Sequence, residues 1–479
     1  MVRIGYDLET TFTNLDPGRS TNTCDKNVWT FLYDSVVREG PGSLEPGLAD
    51  SWEIAPDGSS VTLHFPPGLT YHDGAPLTAD TVRQGLEYNA KNVVLSSVFA
   101  RVANYEVVDA ENLKVNLNDP YPLRFLFDLT GQSGMVVAPS AFGSADRKPV
   151  GAGPFEFKSY TPGQRLELAL FGEHPEAEAY DIDGIEYVQV ANGNPAVTAL
   201  RAGDIDIVRI TADSLNAVKK SGLGSSSVST GEFVQLQFRY KRGGEETPFA
   251  DPLVRQAVSH AIDRKELNKV VEAGTATVSA THYPPDSPFF VPELQDAYPF
   301  DPKVAKALLK EAGYPKGFKT EIVLPGGVAS QERQAERLQA MLKKVGIDAK
   351  IVKALPQDIF LTFYQGMRGD ALSARQLQSS LGPGTIANLF AAGQQLAVRT
   401  GAVDDTITAL TDQAYRAVDE AELVRITKEM EQYAVDNALD VPIGFVRQFV
   451  AYDKERIAGK PGAPYDSCVP VDLRGVRVK

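Results

Sequence analysis

The five histidines of this chain are the first residues to consider for chemistry, because imidazole titrates near neutral pH and binds zinc. They are His64, His72, His174, His260 and His282. No two of them stand at helical or zinc-binding spacing, and the sequence contains no His-Glu-x-x-His motif. His64 falls on the outer side of a predicted strand and His72 in a predicted turn, so we expect both at the surface. The histidines therefore predict no catalytic residue and no metal site.

Nucleophile and phosphate-binding motifs are also missing from the sequence. There is no Gly-x-Ser-x-Gly elbow and no Gly-x-x-x-x-Gly-Lys-Ser/Thr loop. The segment Gly151–Phe155 superficially resembles a nucleotide-binding loop. However, Pro154 and the residues after it predict a turn that enters a strand, which leaves no helix N-terminus for a phosphate. We therefore predict a binding protein without catalytic residues or cofactors, with a hydrolase as the competing alternative.

The charge balance excludes another class of function. The chain has 479 residues, with 48 Lys and Arg against 62 Asp and Glu, and its formal net charge is −14. This acidity, without any block of Lys and Arg, argues against nucleic acid as a partner. No apolar run approaches the roughly 18 residues that span a bilayer, so we expect no transmembrane segment.

The two cysteines, Cys24 and Cys468, are too few for a disulfide framework or for a cysteine-based zinc site. They could be bridged to each other or unpaired. The sequence leaves both alternatives open.

The sequence pattern in the first half of the chain predicts mainly β-strands separated by turns. Val61, Leu63 and Phe65 alternate with polar residues, which predicts a half-buried strand. The segment Leu77–Asp80 then leads into a predicted helical run through Val82, Leu86 and Tyr88. The segment Gly222–Ser229 is predicted to be a short flexible loop.

From about residue 250 the pattern changes to alternating helices and strands. Asp251-Pro252 and Asp301-Pro302 each predict a helix that begins with an acidic N-cap and a proline in the first turn. Further along, the pattern predicts a strand at 320–324, a helix from Ser330, a strand at 347–352 and a last long helix at about 419–437. This alternation indicates an α/β lobe.

Several segments occur together in a recognisable order. One block runs from Leu44 to Val82 and contains Leu44–Glu53, Pro56-Asp57-Gly58, Tyr71-His72-Asp73-Gly74 and Leu77–Val82. The other segments are Leu15-Asp16-Pro17, Phe31-Leu32-Tyr33-Asp34, Gly151–Phe155, Ala202–Ile207, Pro248–Arg264 and Phe300–Pro315. Together they resemble the extracytoplasmic solute-binding proteins of family 5, the oligopeptide, dipeptide and nickel class of ABC importers.

The resemblance implies an α/β, two-lobed periplasmic-binding-protein-like fold (type II, cluster C) with an extra inserted sub-domain. Lobe I would consist of 1–36, 162–239 and 447–479, with the inserted sub-domain at 37–161, and lobe II of 240–446. The chain would cross between the lobes near Gln235–Tyr240 and Phe445–Val450.

The resemblance also implies a function. Such proteins close two lobes over a small-molecule ligand and deliver it to the permease subunits of an ABC importer. We expect a monomer that is not an enzyme and is periplasmic, or lipid-anchored on the extracellular face of a bacterial membrane. The first residues carry no export signal, so Met1 is interpreted as standing in its place. A hydrolase on the same fold and a binding protein without a transporter are the alternatives from other classes.

The segment Gly369–Phe390 departs from the family. Peptide-binding members typically carry a Trp-rich segment there that ends in Asp-Pro, and an acidic residue can pair the peptide's α-amine. Here Gly382-Pro383-Gly384-Thr385 stands where Asp-Pro would be expected, and between Asp370 and Phe390 there is no further acid and no Trp. The segment offers instead Arg375, Gln376, Gln378 and Ser379. Arg375 suits a carboxylate or phosphate, and the amides and hydroxyls suit a polyol. We therefore predict a small polar solute that is sugar-like, opine-like or anionic, with an oligopeptide or dipeptide as the alternative.

Other candidate ligand-binding residues stand near segments that would face the groove between the lobes. They are Asn22, Thr23, Trp29, Tyr364 and Arg368. Each could instead be a surface or core residue, and packing is the competing expectation for Trp29. Arg239 and Arg242 flank the first crossing, and both are expected to be solvated charges.

Overall fold

The computed structural model describes residues 1–6, 14–20, 25–40, 43–93, 95–190, 194–355, 358–366, 368–376, 382–462 and 471–479, with the backbone alone at 97, 194, 228–231 and 376. The chain forms two compact units. Unit 1 comprises Met1–Thr230, Tyr415–Glu420 and Gln448–Lys479, and unit 2 comprises Gly231–Ala414 and Ala421–Arg447. The assignment of functional lobes at the boundaries predicted above, including the inserted sub-domain at 37–161, stays a prediction.

Most of the first half of the chain consists of short strands with a few helices between them. The elements up to residue 238 are β1 (Val2–Tyr6), α1 (Lys26–Leu32), β2 (Val37–Glu39), β3 (Leu44–Pro46), β4 (Ser51–Ile54), β5 (Ser60–His64), α2 (Ala79–Asn89), α3 (Ser96–Phe99), β6 (Val102–Val107), β7 (Asn112–Leu117), α4 (Pro122–Asp128), β8 (Phe155–Thr161), β9 (Arg165–Leu170), β10 (Gly184–Gln189), α5 (Asn194–Ala202), β11 (Ile207–Ile210), α6 (Leu215–Lys220) and β12 (Gly224–Phe238). Short 3-10 turns connect some of them.

Helices are more frequent in the second half. Its elements are β13 (Lys241–Arg242), β14 (Glu245–Glu246), α7 (Pro252–Ala261), α8 (Arg264–Val271), β15 (Thr277–Val278), α9 (Pro302–Glu311), β16 (Lys319–Pro325), α10 (Ala329–Lys344), β17 (Asp348–Ala354), β18 (Ala371–Gln376), α11 (Gly384–Phe390), α12 (Gln395–Thr400), α13 (Asp405–Arg416), α14 (Glu420–Asp436), β19 (Val441–Tyr452), β20 (Ile457–Ala458) and β21 (Arg477–Val478). A π-helical turn at Phe360–Gln365 precedes β18.

The main sheet of unit 1 contains the strands β11, β1, β10, β9 and β8 in that spatial order, with the last part of β19 beside β11. β1 is parallel to both of its neighbours, β10 and β11, whereas the pairs toward β8 are antiparallel. A second, antiparallel sheet has the order β4, β5, β7, β6. Helix α1 packs on the main sheet, where Phe31 meets Phe155 edge to face with the ring centroids 5.4 Å apart.

The sheet of unit 2 has the order β17, β16, β18, β12, β19. β16 is parallel to β17 and to β18, and β12 is antiparallel to β18. Helices α7, α8, α9 and α10 cover one face with an apolar core that includes Val254, Leu267, Leu309 and Leu338. Among the described strands, β12 and β19 each continue from one unit into the other.

Most of the predicted elements are confirmed because their signals are local. Val61 and Leu63 of β5 are fully buried, as their alternation predicts. Asp251 caps α7 by accepting from the amide of Leu253, and Asp301 caps α9 through two amides. The helix predicted from Ser330 is α10 and the last long helix is α14.

Two local expectations are wrong. The segment Gly222–Ser229, predicted to be a loop, contains the beginning of β12 at Gly224, because the strand pairs through its backbone and does not need apolar side chains there. His72, expected at the surface, is partly buried and lies between the backbone groups of the Gly151–Gly153 turn. Its Nε2 is 2.9 Å from the carbonyl oxygen of Gly153, and its Nδ1 accepts from the amide of Gly151 at 3.3 Å.

Candidate functional site

The carboxyl ends of β17, β16 and β18 define one edge of the unit 2 sheet. These three strands are parallel, with Ile322 of β16 beside Ala371 of β18. Ligands of open α/β sheets bind outside the carboxyl ends of the strands. Arg375, the main candidate from the sequence, is the penultimate residue of β18 and therefore lies at this edge.

Arg375 forms an ion pair with Glu272, which follows the last turn of α8. Nη2 of Arg375 lies 2.5 Å from Oε1 of Glu272, and the side chains are 24% and 11% exposed. Nη2 is also 3.5 Å from Oγ of Ser330, in the first turn of α10. Nε of Arg375 is buried and has no hydrogen-bond partner among the described residues. We call Arg375, Glu272 and Ser330 the β18 edge cluster.

The face of β18 that carries Arg375 is fixed against α10. Gln334, one turn after Ser330, donates to Oγ of Ser373 at 2.9 Å, and both side chains are buried. Ser373 and Arg375 share this face because side chains alternate along a strand. The contact between Gln334 and Ser373 therefore holds the strand that positions Arg375.

The opposite face of the sheet contains a buried polar pair, Tyr364 and Gln237. The hydroxyl of Tyr364, from the π-helical turn, donates to Oε1 of Gln237 at 2.5 Å, and burial raises the pKa of Tyr364. Gln235, two residues earlier on β12, is fully buried, and neither atom of its amide has a partner within the described ranges. Tyr364 is thus engaged with the strand and is 6% exposed.

Arg239 corrects the expectation of a solvated charge. It is fully buried and donates to three backbone carbonyls, those of Gly369 at 3.1 Å, Arg399 at 2.9 Å and Phe363. Burial lowers the pKa of Arg239, and its guanidinium stacks 4.7 Å from the ring centroid of Phe363. These carbonyls belong to the π-helical turn (Phe363), to the stretch just before β18 (Gly369) and to α12 (Arg399), so Arg239 is a positioning residue for the segment that leads to Arg375. Arg242, in contrast, is exposed and pairs with Asp370.

The remaining candidates fall in different places. Trp29 is fully buried in the core of unit 1, where its indole N–H donates to the carbonyl of Asn14 at 2.9 Å. Arg368 is exposed, with its Nε 3.9 Å from Glu321. The backbone of Gln376 pairs with Phe233. Other predicted positions lie outside the described residues: Asn22, Thr23, Cys24, Gln378, Ser379 and Cys468. Ligand contact by any of the nine candidate residues stays a prediction.

Sequence reasoning missed Glu272 and Ser330. Glu272 is 103 residues from Arg375 in the chain, and Ser330 is 45 residues away. Ser330 lies in the first turn of α10, where a hydroxyl residue is ordinary. Glu272 is one of 62 Asp and Glu residues in the chain, so its type carries no signal either. Glu272 and Ser330 come close to Arg375 only because α8 and α10 pack against β18.

Unit 1 contains two neighbouring cavities of about 220 Å³ and about 160 Å³. They share a wall formed by Asp34, Arg38 and Glu176. Arg38 lies 2.5 Å from Glu176 and 3.0 Å from Asp34, and His174 is 3.0 Å from Asp34 on its other side. Burial alone would raise the pKa of Asp34, but His174 and Arg38 outweigh it and lower that pKa. The charges of this wall are therefore paired with each other.

The described residues lack two features, a metal-binding cluster and a membrane-spanning helix. They include no group of three or more His, Cys, Asp or Glu side chains arranged to hold a metal ion. None of the helices in the described ranges combines the length and apolar character needed to cross a membrane.

Comparison with solved structures defines the class of fold. The chain is similar to HbpA2 from Haemophilus parasuis, with a TM-score of 0.85 and 22% identity over 100% of this chain and 99% of that one. It is also similar to AgaA in complex with agropinic acid from A. tumefaciens R10, with a TM-score of 0.78 and 24% identity over 100% and 98%. These matches show the α/β, two-lobed periplasmic-binding-protein fold.

Sequence comparison identifies the family. The model of the bacterial extracellular solute-binding proteins, family 5 (middle region) matches residues 43–422. The glutathione-binding protein GsiB of Pectobacterium atrosepticum is 27% identical over 353 residues, which cover 71% of this chain and 67% of GsiB. The chain belongs to family 5 of the bacterial extracellular solute-binding proteins.

Proposed function

We propose that this protein is the extracytoplasmic solute-binding receptor of an ABC importer and that its solute is small and polar. The observation that carries the solute class is Arg375 at the carboxyl end of β18, at the edge where open α/β sheets bind ligands. In the sequence, Arg375 is followed by the amide and hydroxyl residues Gln376, Gln378 and Ser379, and this set of groups suits a sugar-like, opine-like or anionic solute better than a generic peptide.

The position of Asp370 argues against general peptide binding. It is the last acid of the segment 369–390 and directly precedes β18, five positions before Arg375. At about 3.3 Å per residue, the strand puts the two side chains at opposite ends of β18. Asp370 is also occupied, because Arg242 pairs with it and Thr320 donates to it at 3.1 Å. It is therefore poorly placed to accept a peptide α-amine at the edge where Arg375 lies.

The named relatives support a polar solute and leave its class open. AgaA is described with agropinic acid and GsiB as glutathione-binding. Both compounds carry carboxylates, which an arginine can bind in a bidentate manner. Glutathione is also a tripeptide, so an oligopeptide or dipeptide receptor is the second candidate within the same family.

The proposed role implies particular partners and a location. The receptor would deliver its solute to the permease subunits of an importer, as a monomer outside the cytoplasm. No catalytic step is part of the proposal, and a hydrolase on the same fold would convert the solute. Recovery of the solute intact after incubation separates these two functions.

The test combines identification with titration. Mass spectrometry of small molecules that co-purify with the full chain should reveal a polar solute of one of the three classes. Calorimetric titration with agropinic acid, glutathione and a mixture of ordinary di- to pentapeptides then ranks the candidates. Tight binding of the ordinary peptides, in preference to the other compounds, would contradict the proposed solute class. Stabilisation of the folded protein by the bound compound provides an independent readout.

A further inference from the structure

The charge of Arg375 is balanced within unit 2. Nη2 of Arg375 is 2.5 Å from Oε1 of Glu272, and the two side chains are 24% and 11% exposed. Opposite charges that are this close, and this shielded from water, cancel much of each other's potential at a distance. The β18 edge cluster as a whole therefore has little net positive charge, although it still contains the N–H donors of Arg375.

The pair is held in place from two helices. Glu272 follows α8, which ends at Val271, and Ser330 lies in the first turn of α10. Gln334 in turn ties α10 to Ser373 of β18 at 2.9 Å. Because both helices and the strand belong to the same packed face, the guanidinium has little freedom to leave Glu272.

Arg375 keeps a donor that Glu272 does not use. The hydrogen bonds that Arg375 makes with described residues all come from Nη2. Nε is buried, and within the described part of the chain it has no acceptor. A buried donor without a partner is unfavourable, and an oxygen atom that approaches this edge would relieve it.

We propose that Glu272 is the specificity-determining residue of the solute site. By neutralising Arg375, it favours a solute that offers a neutral oxygen, such as a hydroxyl or an amide carbonyl, or a zwitterion. A simple anion would bring a second negative charge next to Glu272, which opposes its binding. This inference rests on the proposed function and narrows it, because it favours the sugar-like and opine-like solutes over strongly anionic ones.

The test uses Glu272→Gln in the full chain, with inorganic sulfate as the probe. Thermal unfolding is followed against sulfate concentration, with sodium chloride at matched ionic strength as the reference. Sulfate stabilises folded proteins in general, so the informative quantity is the difference between variants. We expect Glu272→Gln to bind sulfate about tenfold more tightly than the wild type, a difference of about 1.4 kcal/mol.

Two further variants control for structural effects. The double variant Glu272→Gln with Arg375→Met should lose the added sulfate response, because the cation is gone. Glu272→Asp keeps the charge and should respond like the wild type, and circular dichroism checks that each variant is folded. An equal response in the wild type, Glu272→Gln and the double variant would overturn the inference. Strong sulfate binding by the wild type through Arg375 would overturn it as well.

The outcome is separable from that of the proposed function. The sulfate experiment reports on Arg375 and Glu272 whatever the natural solute is. If the receptor role is wrong, no solute co-purifies although Glu272→Gln still gains sulfate binding. If only the inference is wrong, the solute is bound and Glu272→Gln shows no gain.

Discussion

Nδ1 of His282 lies 3.0 Å from Oε2 of Glu431, and both side chains are buried within unit 2. Nε2, on the other side of the ring, is 2.7 Å from Oδ1 of Asp440. Since both ring nitrogens face carboxylate oxygens, the arrangement requires the charged imidazolium, which donates on both sides. The cluster joins α14, the residue before β19 and the segment that follows β15.

Replacement of His282 should destabilise the protein strongly. His282→Gln leaves Glu431 and Asp440 buried without their shared cation. We expect the free energy of unfolding to fall by about 3–5 kcal/mol, as when one partner of a buried ion pair is removed. Urea unfolding measures this. His260→Gln is the matched control, because the ring of His260 contacts the carbonyl of Pro299 and the ring of Tyr298 rather than buried carboxylates, and its effect should be much smaller.

The same cluster predicts a dependence of stability on pH. Burial by itself would lower the pKa of His282, but Asp440 and Glu431 outweigh it and raise the pKa to about 10. The pKa in the unfolded chain is about 6.5. The native state therefore holds an extra proton between these values, so the stabilisation is complete below about pH 6.5 and is lost as the pH rises toward about 10. The difference in unfolding free energy between the wild type and His282→Gln should shrink over this range. A constant difference from pH 6 to pH 10 would contradict the assignment.

Arg239 should be needed to hold the segment before β18. Arg239→Met leaves the carbonyls of Phe363, Gly369 and Arg399 without their donor. We expect a loss of about 2–4 kcal/mol, since each buried group left unsatisfied costs about 1–3 kcal/mol and removal of a buried charge offsets part of the total. Chemical denaturation measures the loss, and faster hydrogen exchange near these carbonyls locates it. Arg242→Met, which removes an exposed cation nearby, should have little effect and serves as the control.

Thr78 should stabilise the start of α2 in unit 1. Its hydroxyl accepts from the amide of Thr81 at 3.3 Å, and the hydroxyl of Thr81 accepts from the amide of Thr78 at 2.9 Å. Thr78→Ala should lower the free energy of unfolding by about 1 kcal/mol, whereas Thr78→Ser keeps the cap and most of the stability. Equal losses in both variants would show that the methyl group, rather than the hydroxyl, is what matters.

The family motif around α7 and α8 was identifiable from sequence, but the role of its arginines was not. Arg255 and Arg264 are buried and donate to backbone carbonyls, at 2.8 Å to Ala438 and at 2.9 Å to Pro442. Burial lowers the pKa of Arg264 to about 10. From a sequence pattern, a charged residue is predicted to be exposed, because the pattern contains no information on which distant carbonyls will lie beside it.

The sequence by itself determined the elements whose causes are local. The caps at Thr78, Asp251 and Asp301 act within a few residues, and the alternation in β5 needs only the pleat of a strand. The family order of the segments likewise determined the family and the class of fold that it implies; the match to residues 43–422 confirms the family, and the solved structures confirm the fold.

The tertiary structure alone decided which charges meet. Arg239 reaches carbonyls 124 to 160 residues away, and Glu272 meets Arg375 across 103 residues. Ion pairs and buried hydrogen bonds depend on the register of strands and the packing of helices, and neither is encoded in the spacing of one segment. For this reason Arg375 could be nominated from its residue type, whereas the carboxylate that balances it could not.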